Sequence, residues 1–302
     1  MTDAATSVVS DAPGEDHEEE IREGSLTSDA WRQLRRRPLF WICVVIIAFL
    51  IVAAIFPQLF TSRDPLLGDQ RNNLQPPSGD HWFGTDLLGR DQYARVIYGA
   101  RVSIVVAFVV TFAAAAVALT FGSLAGFYGG IIDTLISRLA DVWFAIPTVL
   151  GGIVMLQLFE QRTIITLCLV LVTFGWPTML RLVRSAVIAV KGADYVDAAR
   201  ALGASDRRLI GRHILPNALT PLVVYMAITF GVVIAAEAAL TFIGVGLRKP
   251  AVSWGLIISD SRGRIQTHPY LLLFPGMVLS MAVFAFILLG DLLRDAFDPR
   301  QR

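Results

Sequence analysis

The sequence is poor in charge, cysteine and histidine, and each shortage argues against a class of protein or site. Charged residues make up 17% of the 302 residues, below the roughly 25% of soluble domains, and the mean hydropathy is +0.60. Cys43 and Cys168 lie inside apolar runs without a second ligand at a useful spacing, which argues against a disulfide or a metal site. The 4 histidines are scattered and form no catalytic set, and the net charge of +1 implies no nucleic-acid partner.

The missing charge is concentrated in particular segments. Six runs contain no Asp, Glu, Lys or Arg, and a bilayer core requires roughly 20 apolar residues in helical form. The sequence therefore predicts an all-α membrane protein with six transmembrane helices. The predicted spans cover approximately residues 39–60, 102–128, 139–159, 163–190, 215–240 and 270–291.

Charge next to the spans predicts their orientation. Residues 1–28 are acidic and polar, so we expect a disordered tail ahead of a membrane domain over residues 29–302. The basic run Trp31–Arg37 precedes the first span and places the amino terminus in the cytoplasm by the positive-inside rule. Counting six spans from there places loop 191–217 and the carboxyl terminus in the cytoplasm as well.

The outer segments, residues 61–100 and 244–269, are candidates for contact with an extracytoplasmic partner, although ordinary connecting loops would look similar. Leu88–Tyr98 carries charges on one side and apolar residues on the other, which predicts a short helix at the outer interface. Trp254 could anchor the second segment at that interface. The candidate contact residues are His81, Trp82, Asp86, Arg90, Asp91 and Trp254.

Small residues and prolines in the spans predict close packing and bending. Gly122 and Gly126 have the GxxxG spacing that lets helix backbones approach closely, without indicating against which helix. Pro147 and Pro177 could kink the third and fourth spans, or could be accommodated by ordinary packing.

Loop 191–217 contains a polar stretch with two helix-like halves. We expect Asp194 to cap the first half, with Asp197 at the third helical position of a capping box. Ala198 and Ala199 favour helix without adding bulk, and Gly203 is expected to end the helix in a left-handed conformation. The small side chains suit insertion into a cleft.

The second half is predicted as a helix over Asp206–Leu215, capped by Ser205 and interrupted by Pro216. Its arginines, including Arg207 and Arg208, suit an acidic rim. The two halves together predict a helix–glycine–helix elbow that projects from the membrane. On patterning alone, such an elbow could also be a mere connection between spans.

The elbow resembles the "EAA" loop of permeases from binding-protein-dependent ABC importers. That pattern reads E-A-A, three residues, G, nine residues, I-x-L-P, and here Asp197-Ala198-Ala199, Gly203 and Leu215-Pro216 fall at those spacings. Asp197 replaces the Glu and keeps its charge. His213 stands where the general pattern has Ile, a departure that is usual in the peptide-permease branch.

Further segments resemble the C-type permease subunit of dipeptide and oligopeptide importers. The resemblance runs from about Trp31 to Asp298. It is carried by HWFGTDLLGRD (His81–Asp91), YGARVS (Tyr98–Ser103), FYGGIIDTLISRLADVWFAIP (Phe127–Pro147) and ALTFIGVGL (Ala239–Leu247).

The resemblance implies a type I ABC importer permease in the plasma membrane of a prokaryote. A second, B-type permease would complete the pore, two ATPase subunits or a fused ATPase would bind inside, and a binding protein would deliver peptide from outside. The chain has no G-x-x-x-x-G-K-[ST] phosphate loop, so ATP and magnesium are expected on the ATPases and no cofactor on this chain. The coupling residues would be Asp197, Ala198, Ala199, Gly203, Ala204, Ser205, Arg207, Arg208, Leu215 and Pro216.

Charged residues near the spans are candidates for a pathway. Glu237 lies between apolar stretches, where a charge costs about 2.5–3.5 kcal/mol, so it should face protein or water. It could line the pathway near its outer end or pair with a basic group of the second permease. Arg138 and Asp141 are three residues apart, which favours a local ion pair.

Other functions remain open from the sequence. The same machinery could import nickel or haem, since relatives of the peptide branch carry them. An ion-driven secondary transporter would need several polar groups deep in the spans, and Glu237 is a single one. A membrane scaffold or an enzyme subunit would use the elbow as a docking site.

Overall fold

The computed structural model describes residues 26–297, with side chains from Ala30 onwards, and these residues form helices and loops without a β-strand. The predicted acidic tail lies outside them, except that its last three residues begin the first helix. The helices are α1 (Leu26–Leu34), α2 (Pro38–Ile55), α3 (Gln92–Tyr128), α4 (Gly130–Ala145), α5 (Thr148–Gln157), α6 (Ile164–Lys191), α7 (Asp194–Ala201), α8 (Asp206–Arg208), α9 (Leu215–Ile243), α10 (Trp254–Ser261) and α11 (Tyr270–Phe297).

Five continuous helices are long and apolar enough to cross a membrane, and a bent pair brings the number to six. The all-α membrane fold is thus confirmed. The third span departs from the prediction, because α4 begins at Gly130 and meets α5 at an angle of 87°. Ile146, which precedes Pro147, has the extended backbone that proline imposes on its predecessor. Pro177 lies inside α6 and does not break it.

The longest helix, α3, runs the length of the bundle. Its 37 residues extend about 55 Å, and it packs along α6 over much of that length. A Cβ atom on Gly122 would lie 3.0 Å from the Leu180 carbonyl oxygen, and one on Gly126 would lie 2.9 Å from that of Arg184. The GxxxG pair therefore lets α3 and α6 cross with their backbones nearly in contact.

The predicted interfacial helix over Leu88–Tyr98 is not formed. Asp91 caps α3 instead, accepting a hydrogen bond from the Ala94 main-chain N–H at 2.8 Å. Val96 and Ile97 are buried, because α10 covers the first turns of α3. The apolar side of this segment therefore faces protein, and the helix continues without a break into the second span.

Basic side chains from neighbouring segments bind the carboxyl ends of three helices. The Arg101 guanidinium donates to the Ala54 carbonyl oxygen near the end of α2 at 2.8 Å. Lys191 binds the Phe127 carbonyl near the end of α3, and Arg162 binds the carbonyl that follows α9. These contacts satisfy carbonyl groups that a helix end leaves free and complement its negative dipole.

Candidate functional site

The elbow, defined as residues 191–217, begins with the eight-residue helix α7. Ala193 occupies the cap position and Asp194 is the first helical residue, so the predicted capping box is not formed. Asp194 and Asp197 instead lie in the first turn, where carboxylates favour the positive end of the helix dipole. Asp197 also accepts a hydrogen bond from Arg200 at 2.7 Å.

Gly203 ends α7 as the sequence predicts. Its φ angle is +83°, a left-handed conformation that costs a β-carbon-bearing residue energy. The Gly203 N–H donates to the Arg200 carbonyl at 3.0 Å, and the Ala204 N–H donates to the Ala199 carbonyl at 3.1 Å. These two bonds form a Schellman motif, so the reversal of the chain at the tip of the elbow has one defined geometry.

The second half of the elbow does not stop at Pro216. Ser205 occupies the cap position of α8 without a capping bond from its side chain. A π-helical turn, Leu209–Ile214, then leads directly into α9, where Pro216 lies in the first turn. Proline is tolerated there because first-turn N–H groups have no partner within the helix. The predicted interruption is therefore wrong, and α8 to α9 is one continuous body.

The inner face of the elbow is fixed to the bundle by three buried side chains. Val196 of α7 and Leu209 and Ile214 of the π turn are at most 1% exposed, and they pack in one cluster with Val187 of α6 and Ala218 of α9. The connection is reinforced by hydrogen bonds of the Asn217 side chain to the Tyr195 hydroxyl and the His213 carbonyl. The elbow is thus attached to both helices that it joins.

The outer face of the elbow is exposed and carries most of the predicted coupling residues. Ala199, Ala204 and Leu215 are half-buried. Leu202, which the sequence interpretation overlooked, is 89% exposed at the tip; the available signal was a large apolar residue directly before the chain reversal. Seven of the predicted coupling residues are exposed, beside Ala201 and Leu202: Asp197, Ala198, Gly203, Ser205, Arg207, Arg208 and Pro216.

Two ion pairs tie α4 to α6 just before the elbow. The Arg184 guanidinium donates to the Asp133 carboxylate at 2.6 Å, and Arg181 donates to Asp141 at 2.6 Å. The predicted local pair of Arg138 and Asp141 is longer, at 3.7 Å, with both side chains exposed. Arg181 and Arg184 are thus the main partners of the α4 carboxylates.

Glu237 neither lines an open pathway nor offers itself to a second permease. It is fully buried in α9, where hydroxyl groups surround its carboxylate. Ser103 of α3 donates to it at 3.1 Å, Thr241 at 3.1 Å, and Ser253, which precedes α10, at 2.9 Å. Both alternatives drawn from the sequence are therefore corrected: Glu237 joins α3, α9 and the entry to α10 within this chain.

The same three hydroxyl oxygens also accept main-chain hydrogen bonds, which extends the Glu237 cluster. The donors are the N–H groups of Leu247, Trp254 and Leu256, at 3.2–3.4 Å. Trp254 is fully buried, and its indole N–H donates to the Val96 carbonyl at 2.9 Å. It is a core residue, and its burial contradicts both the interface anchor and the partner contact predicted for it.

The cap, defined as residues 61–91, is held by a buried ionic network. The Asp86 carboxylate accepts bonds of 2.6 Å from Arg90 and from Arg95, and Arg95 also reaches Asp260 at 3.2 Å. Burial alone would raise the pKa of Asp86, but the hydrogen bond from Arg90 and the charges of both arginines outweigh it and lower that pKa. Asp86 and Arg90 are buried and cannot make the partner contact predicted for them.

Asp91 is likewise occupied within the cap. Besides capping α3, its carboxylate lies 2.7 Å from both the Arg63 guanidinium and the His81 ring. The His81 side chain is 14% exposed, whereas Trp82 is 62% exposed and packs against Tyr93. Of the six candidate contact residues, Trp82 alone presents most of its surface, and its contact with a delivery protein stays a prediction.

Comparison with known proteins then decides the family. Residues 118–302 match the family model described as "Binding-protein-dependent transport system inner membrane component". The chain belongs to this family. Residues 25–77 also match the model for the "N-terminal TM domain of oligopeptide transport permease C". The elbow lies wholly inside the first match.

Relatives resemble this chain over most of their length. A dipeptide transport system permease protein, DppC, of Alkalihalophilus pseudofirmus is 40% identical over 91% of this chain and 90% of its own. The oligopeptide transport system permease protein OppC of Bacillus subtilis is 36% identical, with coverages of 92% and 91%. The glutathione transport system permease protein GsiD of Escherichia coli is also 36% identical, over 89% of each chain.

Solved structures show the same fold at low identity. The MetNI methionine ABC transporter in an inward-facing conformation has a TM-score of 0.53 and 21% identity, covering 67% of this chain and 95% of that one. An amino acid ABC transporter has a TM-score of 0.50 and 15% identity, with coverages of 67% and 93%. The fold is therefore that of type I ABC importer permeases. Such an inner-membrane component works with a partner permease, an ATPase and a binding protein.

Proposed function

We propose that this chain is the C-type pore-forming subunit of an ATP-driven importer of dipeptides or oligopeptides. The observation that carries the proposal is the elbow, which exposes a small-sided helix and Leu202 while its inner face is fixed to α6 and α9. An elbow that is exposed on one face and fixed on the other can receive a partner and transmit its movement. The names of the relatives, a dipeptide and an oligopeptide permease, support peptide cargo.

In this proposal the elbow is cytoplasmic, together with both termini, and sits in a groove of an ATPase subunit. ATP and magnesium bind the ATPases, and this chain carries out no hydrolysis. When the ATPases approach each other, the load enters at α7 and reaches the bundle through Val196, Leu209 and Ile214. The Arg184–Asp133 pair carries part of it from α6 to α4. Alternating access would follow from rocking of the two permeases.

Reconstitution tests the proposal. The full assembly in proteoliposomes, with the partner permease, the ATPases and the binding protein, should take up peptide only with ATP. ATPase activity should rise with the loaded binding protein. Uptake driven by an ion gradient without ATP would contradict the proposal. Uptake of nickel or haem in place of peptide would contradict the proposed cargo and leave the ATP-driven import mechanism in place.

Elbow variants test the coupling step separately. Leu202→Asp should weaken retention of the ATPases during purification, because it places a charge on an apolar contact. Gly203→Val should uncouple transport, because a β-branched residue is strained at positive φ, and Asp197→Lys should do so by reversing the charge beside Arg200. Leu67→Asp is the matched control, since Leu67 is 73% exposed in the cap, at the opposite end of α3. Full uptake and normal ATPase retention in all elbow variants would contradict the proposal.

A further inference from the structure

The junction of α1 and α2 carries exposed arginines beside exposed tryptophans. Arg35 and Arg36 are exposed, while Trp31 is 52% and Trp41 is 47% exposed. The apolar span α2 begins two residues after Arg36, so these side chains lie at the level of the membrane surface. The junction is therefore in the position where a membrane protein meets lipid headgroups.

Several contacts fix the orientation of this face. Ala30 and Leu34 of α1 are buried in one cluster with Leu292 and Ala296 of α11. Arg37 is bound to Asp295 at 3.1 Å, so it is already neutralised within the bundle. Arg35 and Arg36 lie in the turn between α1 and α2 and are exposed, so they belong to a junction that these contacts hold in place.

Arg35 and Trp41 are also held together. The Trp41 indole N–H donates to the Arg35 carbonyl oxygen at 3.1 Å, and Phe40 packs edge-on between Trp31 and Trp41. Among the described side chains, no carboxylate lies within 4.0 Å of Arg35 or Arg36. The face therefore combines ordered aromatic edges with positive charge.

We propose that this face binds the headgroups of anionic phospholipids, with Arg35 and Arg36 on the phosphates and Trp31 and Trp41 at the acyl boundary. Guanidinium groups bind phosphate oxygens through paired N–H groups, and tryptophan favours the membrane interface. The proposal does not depend on the cargo or on the transport mechanism.

The aromatic residues favour lipid over an acidic protein surface. An acidic protein partner would bind the arginines and would not require the indoles. Two exposed indoles beside the first residues of a span are typical of the boundary between lipid headgroups and acyl chains. The acidic residues between Gly14 and Glu23 of the same chain and an ATPase subunit are the competing occupants, and the experiment separates them from lipid.

The experiment uses the complete assembly in vesicles and measures quenching of tryptophan fluorescence by brominated lipid. Brominated phosphatidylglycerol should quench more strongly than brominated phosphatidylcholine at equal content, and Trp31→Phe with Trp41→Phe should remove the difference. Arg35→Gln with Arg36→Gln should reduce the preference, roughly fivefold for each arginine. High salt should reduce it as well.

Arg262→Gln with Arg264→Gln is the matched control, because it removes the same charge from exposed positions between α10 and α11 and should leave the preference unchanged. Equal quenching by both lipids, or a preference that survives in the Arg35 and Arg36 variant, would overturn the proposal. A preference that emerges only after deletion of residues 2–23 would assign the face to the acidic segment. If the Arg35 and Arg36 variant lost the ATPase subunits during purification without a change in lipid preference, the face would bind the ATPase.

Discussion

Replacement of Glu237 tests whether its cluster organises the connection between α9 and α10. The carboxylate accepts hydrogen bonds from Ser103, Thr241 and Ser253 at 2.9–3.1 Å and is fully buried. Glu237→Ala removes all three acceptor contacts at once. Glu237→Gln preserves the volume and the oxygen that faces Thr241 and Ser253, and it places an amide donor opposite the Ser103 hydroxyl.

The expected cost follows from the number of donors left unpaired. Each buried hydroxyl that loses its acceptor costs about 1–3 kcal/mol, so three would cost roughly 3–9 kcal/mol. Ser103 and Thr241 lie on helices and can turn to a main-chain carbonyl of the preceding turn, which reduces the sum. We expect a loss of about 3–5 kcal/mol for Glu237→Ala and about 1–3 kcal/mol for Glu237→Gln, where one contact is mismatched.

Thermal unfolding of the purified assembly and hydrogen exchange measure the effect. Exchange should accelerate at the main-chain N–H groups of Leu247, Trp254 and Leu256, which depend on the three hydroxyls. Thr111→Val is the matched control on α3, because the Thr111 hydroxyl oxygen is buried without a hydrogen-bond partner in the described part of the chain. Removing it should be neutral or stabilising by about 1 kcal/mol.

Two results would refute this reasoning about Glu237. Unchanged unfolding and unchanged exchange in Glu237→Ala would show that the hydroxyl contacts contribute nothing to the α9–α10 connection. Loss of transport in Glu237→Gln with unchanged stability would show that Glu237 acts in the translocation pathway. A loss of stability that appears only in the presence of the second permease would indicate pairing between subunits.

Three further predictions concern packing and charge. Gly126→Val should destabilise the bundle by about 1–3 kcal/mol, because the added Cβ would lie 2.9 Å from the α6 backbone. Gly175→Ala should stabilise it by about 0.5–1 kcal/mol, because the nearest atom to its Cβ would be 3.7 Å away. Thermal unfolding measures both. Asp86→Asn should lower the free energy of unfolding by about 3–5 kcal/mol. In the unmodified protein, the stabilisation by ionised Asp86 is full above the ordinary carboxyl pKa and is lost as pH falls through the lowered pKa of the folded state. Unfolding at several pH values should show this loss in the unmodified protein and not in Asp86→Asn. Arg184→Asp should lower unfolding stability and coupling, and adding Asp133→Arg should restore both; no rescue would contradict a direct pair.

The fold was predictable where one local signal dominates. Charge-free runs located the spans because the bilayer penalises every charge, wherever the helix packs. The end of α7 was predictable because a chain reversal after a helix needs a residue tolerant of positive φ, and Gly203 is the residue that provides it.

The partners of Glu237 and Asp133 could not be predicted, because they come from distant parts of the chain. Ser103 is 134 residues from Glu237, and Arg184 is 51 residues from Asp133. Serine and arginine at those positions have many local explanations, and only tertiary packing selects among them. The burial of Trp254 has the same cause, since α3 supplies the acceptor for its indole.

The prolines show why helix breaks were hard to place. Pro147 follows an extended residue and separates α4 from α5 by 87°, whereas Pro177 stays inside α6 and Pro216 lies in the first turn of α9. Proline removes one N–H in each case. What differs is the surrounding chain: α6 is packed along α3, whereas α4 is buried only at Ala140.

These contacts divide the chain into parts of unequal stiffness. At the cap end, the Glu237 cluster and the Asp86 network cross-link α3, α9 and α10, so a change in one of these helices must break buried hydrogen bonds. Along their crossing, α3 and α6 touch at Gly122 and Gly126, which leaves little room for sliding. The α4–α5 bend is restrained less, because most residues of α4 are exposed and its two ion pairs with α6 are only partly buried or exposed. Under the proposed coupling, a load applied at the elbow would therefore reach α3 and α6 as one body, and the bend at Pro147 is where the described chain can yield with the least loss of buried contact.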